Sequence, residues 1–276
     1  MKKACVIGWP IEHSRSPIIH GHWLKTYGID GAYTKEALKP EDLEKFLRSL
    51  EANGLAGCNV TVPHKEAAFR LADVRHASAN AVGAANTLWH DQGKLIAANT
   101  DTYGYMTYLA SRYPDWQVAD APVSVLGAGG AARAIVYGFL QAGVSEVRLF
   151  NRSAPRASEL ARLFGPRVKV LEWDKRSEGS AESCVVVNTT TLGMKGEGDT
   201  GVDVTALNPL CIVSDIVYVP LETALLARAR TLGLRTLDGL GMLLHQAVPG
   251  FETWFGVTPE VTDELTQRVV REIEGR

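Results

Sequence analysis

Lys65 and Asp101 are the side chains best suited, by type and setting, to move a proton. Lys65 closes the segment Asn59-Val60-Thr61-Val62-Pro63-His64-Lys65 and falls in the first turn of a helix expected over Pro63 to Leu71. A cation there opposes the positive helix end, where an acidic side chain would be stabilising. Lys65 is therefore out of place as a helix stabiliser and well placed as an acid–base group. Asp101 closes Asn99-Thr100-Asp101 and could orient such an ammonium. Ser14 and Ser16 ahead of a helix, Thr61 at a strand end and Asn86 in Gly83-Ala84-Ala85-Asn86-Thr87 add hydroxyls and an amide. Each of these polar clusters is expected where a strand of the first domain ends. Each also has an ordinary structural use: Ser16 before Pro17 as an N-cap, Asp101 as the cap of the next helix, Asn86 in a turn.

A second constellation binds rather than reacts. Gly127-Ala128-Gly129-Gly130-Ala131-Ala132 follows an apolar run, Pro122 to Leu126, and opens a helical pattern. This strand–glycine loop–helix order is what a dinucleotide pyrophosphate requires. Gly127 allows the tight turn, Gly129 lets the backbone approach the anion, and small Ala132 permits close helix packing. The free N–H groups and the helix dipole then face the phosphates. At the end of the next strand an NAD site usually carries Asp or Glu for the ribose hydroxyl. Here Phe150 is followed by Asn151-Arg152-Ser153, with Arg156 beyond. Two guanidinium groups and a hydroxyl suit a 2′-phosphate, and no carboxylate repels it. Charge-assisted hydrogen bonds of roughly 1.5–3 kcal/mol each would favour NADP over NAD by roughly tens to thousands. NADP is the expected cofactor.

Composition narrows the rest. Twenty-nine basic and thirty-one acidic side chains give a net charge of -2, with no overall pull toward nucleic acid or an anionic membrane. Met1-Lys2-Lys3 followed by Ala4 to Ile7 is broken by Gly8 and Pro10, too early for a secretion signal. No apolar stretch is long enough to span a bilayer. Cys5, Cys58, Cys184 and Cys211 sit singly in apolar surroundings without a CxxC pair, as buried reduced thiols of a cytoplasmic protein would. His13, His20, His22 and His64 lack a matching carboxylate set, so helix-surface and turn roles are expected and no metal site. His245 reads as a packed histidine, and Met194 and Met242 as core or cofactor contacts.

The elements that must position these groups alternate as an α/β protein does. Strands are expected at Ala4–Ile7, Ala32–Ala37, Cys58–Val62 and Ala84–Trp89. Helices are expected at Pro17–Tyr27, Glu41–Asn53 and Pro63–Leu71. A helix at Tyr103–Ser111 and a polar stretch, Pro114 to Pro122, lead to a second sheet. Its strands are expected at Pro122–Leu126, Glu146–Phe150, Val168–Leu171, Cys184–Asn188, Cys211–Ile216 and Arg235–Leu237. Helices are expected at Ala131–Ala142, Ala154–Phe164 and Leu221–Leu232. Amphipathic helices at Met242–Phe255 and Val261–Ile273 close the chain. The fold class is α/β with two domains. One is an N-terminal substrate domain with a mostly parallel sheet, residues 1–102 completed by 238–276. The other is a Rossmann-type doubly wound domain, 103–237.

The ordered motifs resemble the shikimate dehydrogenase family along essentially the whole chain. They include Gly8-x-Pro-Ile-x-His-Ser-x-Ser-Pro17, Asn59-Val-Thr-x-Pro-x-Lys65, Gly83-Ala-x-Asn-Thr87 and Asn99-Thr-Asp-x-x-Gly104. Gly127-Ala-Gly-Gly-Ala131, Asn151-Arg-Ser-x-x-Arg156, Asn188-Thr-Thr-Thr-Leu-Gly-Met194, Asp215-Ile-Val-Tyr218 and Asp238-Gly-Leu-Gly-Met-Leu-Leu-His-Gln-Ala247 continue the match. The resemblance implies reversible, NADP-dependent reduction of 3-dehydroshikimate to shikimate, in the route to aromatic amino acids, within a cleft between the domains. It implies that Ser14, Ser16, Thr61, Asn86, Asp101, Tyr218 and Gln246 hold the substrate, with Lys65 as acid–base residue and Asp101 its partner. It implies that Gly127, Ala128, Gly129, Gly130, Ala131, Asn151, Arg152, Ser153, Arg156 and Thr189 hold the cofactor. Ile216, Gly239 and Met242 would border the nicotinamide. Two positions depart from the family: Gly21 where Asn is frequent, and Ala77 where an acidic residue often approaches the nicotinamide. A monomer or homodimer is expected. The rival readings are a quinate/shikimate dehydrogenase using NAD and a non-catalytic NADP-binding module.

Overall fold

The computed structural model describes residues 1–118 and 120–275. Ala119, inside the expected polar stretch, and Arg276, the last residue of the expected C-terminal segment, lie outside the described residues. Two compact units divide the chain, residues 1–102 with 244–276, and residues 103–243.

The first unit is built on β1 (Lys2–Gly8), whose Ala4 to Ile7 are buried throughout. After it come α1 (Ser16–Thr26), β2 (Gly31–Ala37), α2 (Leu43–Arg48), β3 (Leu55–Val60) and α3 (Lys65–Leu71). Then follow β4 (Val74–Arg75), α4 (Ala77–Val82), β5 (Thr87–Asp91) and β6 (Lys94–Ala98). The sheet order is β2-β1-β3-β5-β6-β4. β1 pairs in parallel with β2 and β3, whereas β5 runs antiparallel to both β3 and β6. Its core gathers Ile7, Leu43, Leu47, Leu50, Leu88 and Leu95 under α2 and α3.

Several expectations shift here. The helix expected over Glu41–Asn53 ends at Arg48, where the Ser49 hydroxyl donates to Phe46 O and the chain turns back through Gly54 at φ +69. Its apolar spacing was still a true burial signal, since Leu43, Leu47 and Leu50 all lie inside. Ser16 is the first helical residue of α1 and not its N-cap; Arg15 holds that place without a side-chain cap. β4, α4 and β6 are not among the expected elements. β5 and β6 form a hairpin whose tip, Gln92-Gly93, has φ of 49 and 73, the left-handed pair that suits strand twist.

The second unit follows α5 (Asp101–Arg112) with β7 (Val123–Leu126), α6 (Gly130–Gln141), β8 (Val147–Phe150), α7 (Ala154–Phe164) and β9 (Val168–Leu171). It continues through β10 (Val185–Asn188), β11 (Ile212–Asp215), α8 (Ala224–Thr231), β12 (Arg235–Leu237) and α9 (Gly239–His245). All six strands are parallel in the order β12-β11-β10-β7-β8-β9, the doubly wound arrangement of a Rossmann-type domain. The apolar faces of β7, β8 and β10 pack against α5 and α6 through Leu109, Ile135 and Phe139. The chain then re-enters the first unit with α10 (Val248–Phe255) and α11 (Asp263–Ile273). Among the described residues, no helix is long and apolar enough to cross a membrane.

Candidate active site

In the first unit the polar residues meet because of strand direction. The carboxyl ends of β1, β3 and β6 lie at one edge of the sheet, and antiparallel β5 begins there. Asn86 thus precedes its strand, whereas the sequence pattern had put that cluster at a strand's end. Lys65 is the first residue of α3, and its Nζ donates to Asp101 Oδ2 at 2.7 Å. The lysine side chain is 31% exposed and the aspartate 10%, so the pair is half-sheltered, with its open side on the ammonium. Asn86, buried, donates from Nδ2 to Asp101 Oδ1 at 2.9 Å and to Thr100 Oγ1 at 3.0 Å. Its Oδ1 accepts the Thr100 N–H at 2.9 Å. Asp101 does not cap α5 with its own side chain. Asn99 Oδ1 accepts the Asp101 N–H at 3.0 Å instead, which frees the carboxylate for Lys65 and Asn86.

Ser14 and Ser16 are neighbours: the Ser14 hydroxyl donates to Ser16 Oγ at 3.3 Å, and Ser14 Oγ accepts the Ser16 N–H at 3.4 Å. Thr61 leaves β3 with its N–H on Ile7 O at 3.0 Å. A Cβ on Gly8 would stand 2.6 Å from Thr61 Cγ2, so glycine is what lets the two strand ends close up. Gln246 follows α9, and its Oε1 lies 3.5 Å from both Asn86 Nδ2 and Thr100 Oγ1. The structure therefore brings Lys65, Asn86, Asp101 and Gln246 together, with Ser14, Ser16 and Thr61 at the same strand ends. It adds Asn59, Thr87, Asn99 and Thr100, which carry the hydrogen bonds between them. Their signal was present in the Asn-rich motifs, but polar type alone did not separate holding groups from held ones.

The histidines correct an expectation. His13 is exposed in a turn and His64 sits in the turn before α3, as expected, though buried; His20 and His22 lie on α1 but are buried rather than on its surface. His64 Nε2 lies 2.8 Å from Leu38 O. His20 stacks on Tyr33 at 3.9 Å between ring centroids, and burial pushes its imidazole down to about 3, so it is neutral. Cys5 and Cys58 are free and buried, yet they face each other across β1 and β3 rather than sitting apart. Burial pushes both thiols up, so neither is a nucleophile at neutral pH.

In the second unit the glycine loop leaves β7 and enters α6. Gly127 has φ +109, and a Cβ there would stand 2.6 Å from Thr189 Oγ1. Thr189 in turn donates its hydroxyl to Leu126 O at 2.6 Å, so it supports the loop from beneath. Gly129 and Gly130 are exposed, with nothing within 4 Å of an added Cβ. Ala128 and Ala131 are half-buried beside them. Beyond β8, Asn151 Nδ2 donates to Ser153 O at 2.8 Å and shapes the turn. Arg152 and Arg156 are exposed and make no ion pair or hydrogen bond among the described residues. Open backbone N–H groups at a helix start and two unpaired guanidinium groups fit a phosphorylated dinucleotide.

The carboxyl ends of β10 and β11 are tied by one buried carboxylate. Asp215 Oδ1 accepts Asn188 Nδ2 at 2.9 Å and the Val217 N–H at 3.0 Å, and Oδ2 accepts the Thr223 hydroxyl at 2.8 Å. Burial pushes its carboxyl up to about 6, against the hydrogen bonds that hold it down. This knot fixes the segment carrying Ile216 and Tyr218, both half-buried. Gly239 must be glycine, because a Cβ would collide with Ile216 O and Val217 O. Met242 is buried in the core of this unit, while Met194 is 43% exposed and is no core residue.

Three family models match. They are described as the shikimate dehydrogenase substrate binding domain over residues 6–88, shikimate / quinate 5-dehydrogenase over 109–193, and the shikimate 5'-dehydrogenase C-terminal domain over 239–263. The chain is 50% identical over 275 residues to a shikimate dehydrogenase (NADP(+)) of Brucella abortus, covering 99% of this chain and 95% of that protein. It is 52% identical over 263 residues to the one of Paramagnetospirillum magneticum, covering 95% of each. A solved structure of shikimate 5-dehydrogenase from Thermus thermophilus, in complex with NADP(H) and shikimate, superposes with a TM-score of 0.87 at 31% identity. That match covers 99% of this chain and 100% of that one. With its two units, its Lys65–Asp101 pair and its glycine loop, the chain belongs to the shikimate dehydrogenase family.

Proposed function

We propose that this enzyme interconverts 3-dehydroshikimate and shikimate with NADP as its cofactor, through Lys65 and Asp101. The observation that carries the reading is the 2.7 Å bond from Lys65 Nζ to Asp101 Oδ2, with a partly exposed ammonium. When bound, the dinucleotide supplies or accepts the hydride. The chain itself must manage the proton. In the reducing direction negative charge grows on the ketone oxygen, and Lys65 Nζ gives it a proton; in the oxidising direction Lys65 takes that proton back. Asp101 keeps the ammonium on one heading and accepts a substrate hydroxyl. Ser14, Ser16, Thr61, Asn86, Tyr218 and Gln246 supply hydrogen bonds to a polyhydroxylated acid, for which many neutral partners discriminate better than one charge.

Gly127, Ala128, Gly129, Gly130 and Ala131 hold the pyrophosphate, supported by Thr189. Asn151, Arg152, Ser153 and Arg156 hold the 2′-phosphate, and Ile216, Gly239 and Met242 border the nicotinamide. The substrate domain takes residues 1–102 with the C-terminal helices, which join it from 244 and not from the expected 238, and the cofactor domain takes residues 103–243. The enzyme works in the cytoplasm as a monomer or homodimer, without nucleic acid. Quinate with NAD is disfavoured, because no carboxylate follows β8 and two arginines do. Following reduced-nicotinamide absorbance with shikimate or quinate against NADP and NAD tests the assignment. Shikimate with NADP should give the highest kcat/KM; faster turnover of quinate with NAD would overturn it.

A further inference from the structure

Behind the Lys65–Asp101 pair runs a buried chain of polar side chains, and backbone groups settle its direction. The Asn86 carbonyl can only accept, so the group of Asn59 that reaches it at 3.0 Å must be the amide nitrogen. That leaves Asn59 Oδ1 to accept the Tyr33 hydroxyl at 2.6 Å. The Thr100 N–H can only donate, so Asn86 Oδ1 must face it, and Asn86 Nδ2 must face Asp101. Between these two fixed amides stands Thr87, 1% exposed at the start of β5. Its Oγ1 accepts Asn59 Nδ2 at 3.2 Å, so its one hydrogen goes to Asn86 Oδ1 at 3.0 Å. Donation therefore runs one way, Tyr33 to Asn59 to Thr87 to Asn86 to Asp101, and Lys65 reaches the same carboxylate from the other side.

We propose that Thr87 is a positioning residue for proton transfer, with Asn59 and Tyr33 as its support. Its hydroxyl holds the Asn86 amide so that Asn86 restrains Asp101 Oδ1 and leaves Oδ2 aimed at Lys65. Asn59 uses both its amide groups on protein partners, and so acts through its neighbours. Tyr33 is held beneath it by the His20 ring. A buried polar network of this kind specifies one geometry when every member is satisfied, and loosens when one hydroxyl is lost.

The proposal rests on the reading of Lys65 as the acid–base residue, and its test separates the two. Thr87→Val keeps shape and removes the hydroxyl. It should lower kcat about tenfold, a fraction of the hundredfold that a misplacement of about 1 Å can cost. The KM for shikimate should change little, and Thr87→Ser, which keeps the hydroxyl, should restore kcat. In the Lys65→Ala background, Thr87→Val should cause no further loss, because the pair it serves is gone. Unchanged kcat in Thr87→Val, or a second, multiplying loss in the double variant, would overturn the positioning role while leaving Lys65 in place. Full turnover in Lys65→Ala alone would overturn both. If Thr87→Val does not fold, Tyr33→Phe enters the same cycle, with a smaller loss that again vanishes without Lys65; a loss that persists there counts against the proposal.

Discussion

The two polar regions of this molecule are built on opposite plans. Around Lys65, nearly every polar atom already has a protein partner: Asp101 is held by Lys65 and Asn86, and Asn86 by Thr87 and Thr100. Around the glycine loop the reverse holds. Gly129 and Gly130 expose bare backbone, and Arg152 and Arg156 project without partners among the described residues. The difference follows from what each must do. Proton transfer depends on distance and heading, so the first region fixes its geometry before any ligand arrives. Binding a polyanion depends on unspent donors and positive charge, so the second leaves them free. A substitution in the first region should therefore strike turnover, and one in the second should strike affinity.

The largest expected effect lies at the pair itself. Lys65→Ala should lower kcat by about 10²–10⁴-fold, the usual cost of losing a positioned acid–base group. The KM for shikimate should change far less. Asp101→Ala should also lower kcat, and the double variant should lose much less than the product of the two, as groups that act as a unit do. Steady-state kinetics on the three variants decide the matter. Fully multiplicative losses would make the 2.7 Å bond incidental and break the contrast between the regions.

The two plans were not equally legible in the sequence. The glycine loop was, because its signal is local: an apolar strand, glycines at fixed offsets and a helix follow one another directly in the chain. β8, α7 and β9 were read within a residue for the same reason, each being flanked by polar or glycine punctuation. The Lys65 region was legible as residue types and not as wiring. Thr87 pairs with Asn59 only because β5 runs antiparallel to β3, and the hairpin that reverses it turns on Gln92-Gly93, a short signal inside a polar stretch. α2 was read too long because leucine spacing reports burial, and Leu50 stays buried after the helix has ended. His20 was read as a surface residue because α1 carries polar residues on a face that the aromatic side chains of α10 cover.

The second unit contains one element of the first plan, the buried Asp215, and its titration sharpens the comparison. Burial raises its carboxyl to about 6, above its unfolded value. A raised carboxyl stabilises the fold at pH below the unfolded value, and that contribution is lost as pH rises to about 6. The size is roughly 3 kcal/mol. Asp215→Asn stays neutral throughout and can still accept from Asn188 and Val217 on its remaining oxygen. The stability of wild type relative to Asp215→Asn should therefore fall by roughly that amount between pH 4 and 7, measured by urea unfolding at each pH. Parallel curves would mean that the carboxylate is ionised at little cost, and that the tie between β10 and β11 carries no burial penalty.

The smallest effect, and the cleanest contrast, is expected at Arg152. An exposed guanidinium meeting a phosphate adds roughly 1.5–3 kcal/mol at best, so Arg152→Ala should raise the KM for NADP by about 10- to 100-fold. NAD lacks that phosphate and should be used as before, so the ratio of the two cofactors isolates the contact from general damage. Ionic strength supplies a second axis. Near 1 M salt the screening length falls to about 3 Å, so exposed charge pairs weaken while the half-buried Lys65–Asp101 pair is little affected. Raising salt should therefore erode the NADP preference of the wild type toward that of Arg152→Ala, with kcat at saturating cofactor nearly constant. Equal losses with both cofactors would remove Arg152 from the phosphate site. A kcat that fell with salt in step with cofactor affinity would show that the two regions do not divide geometry from charge.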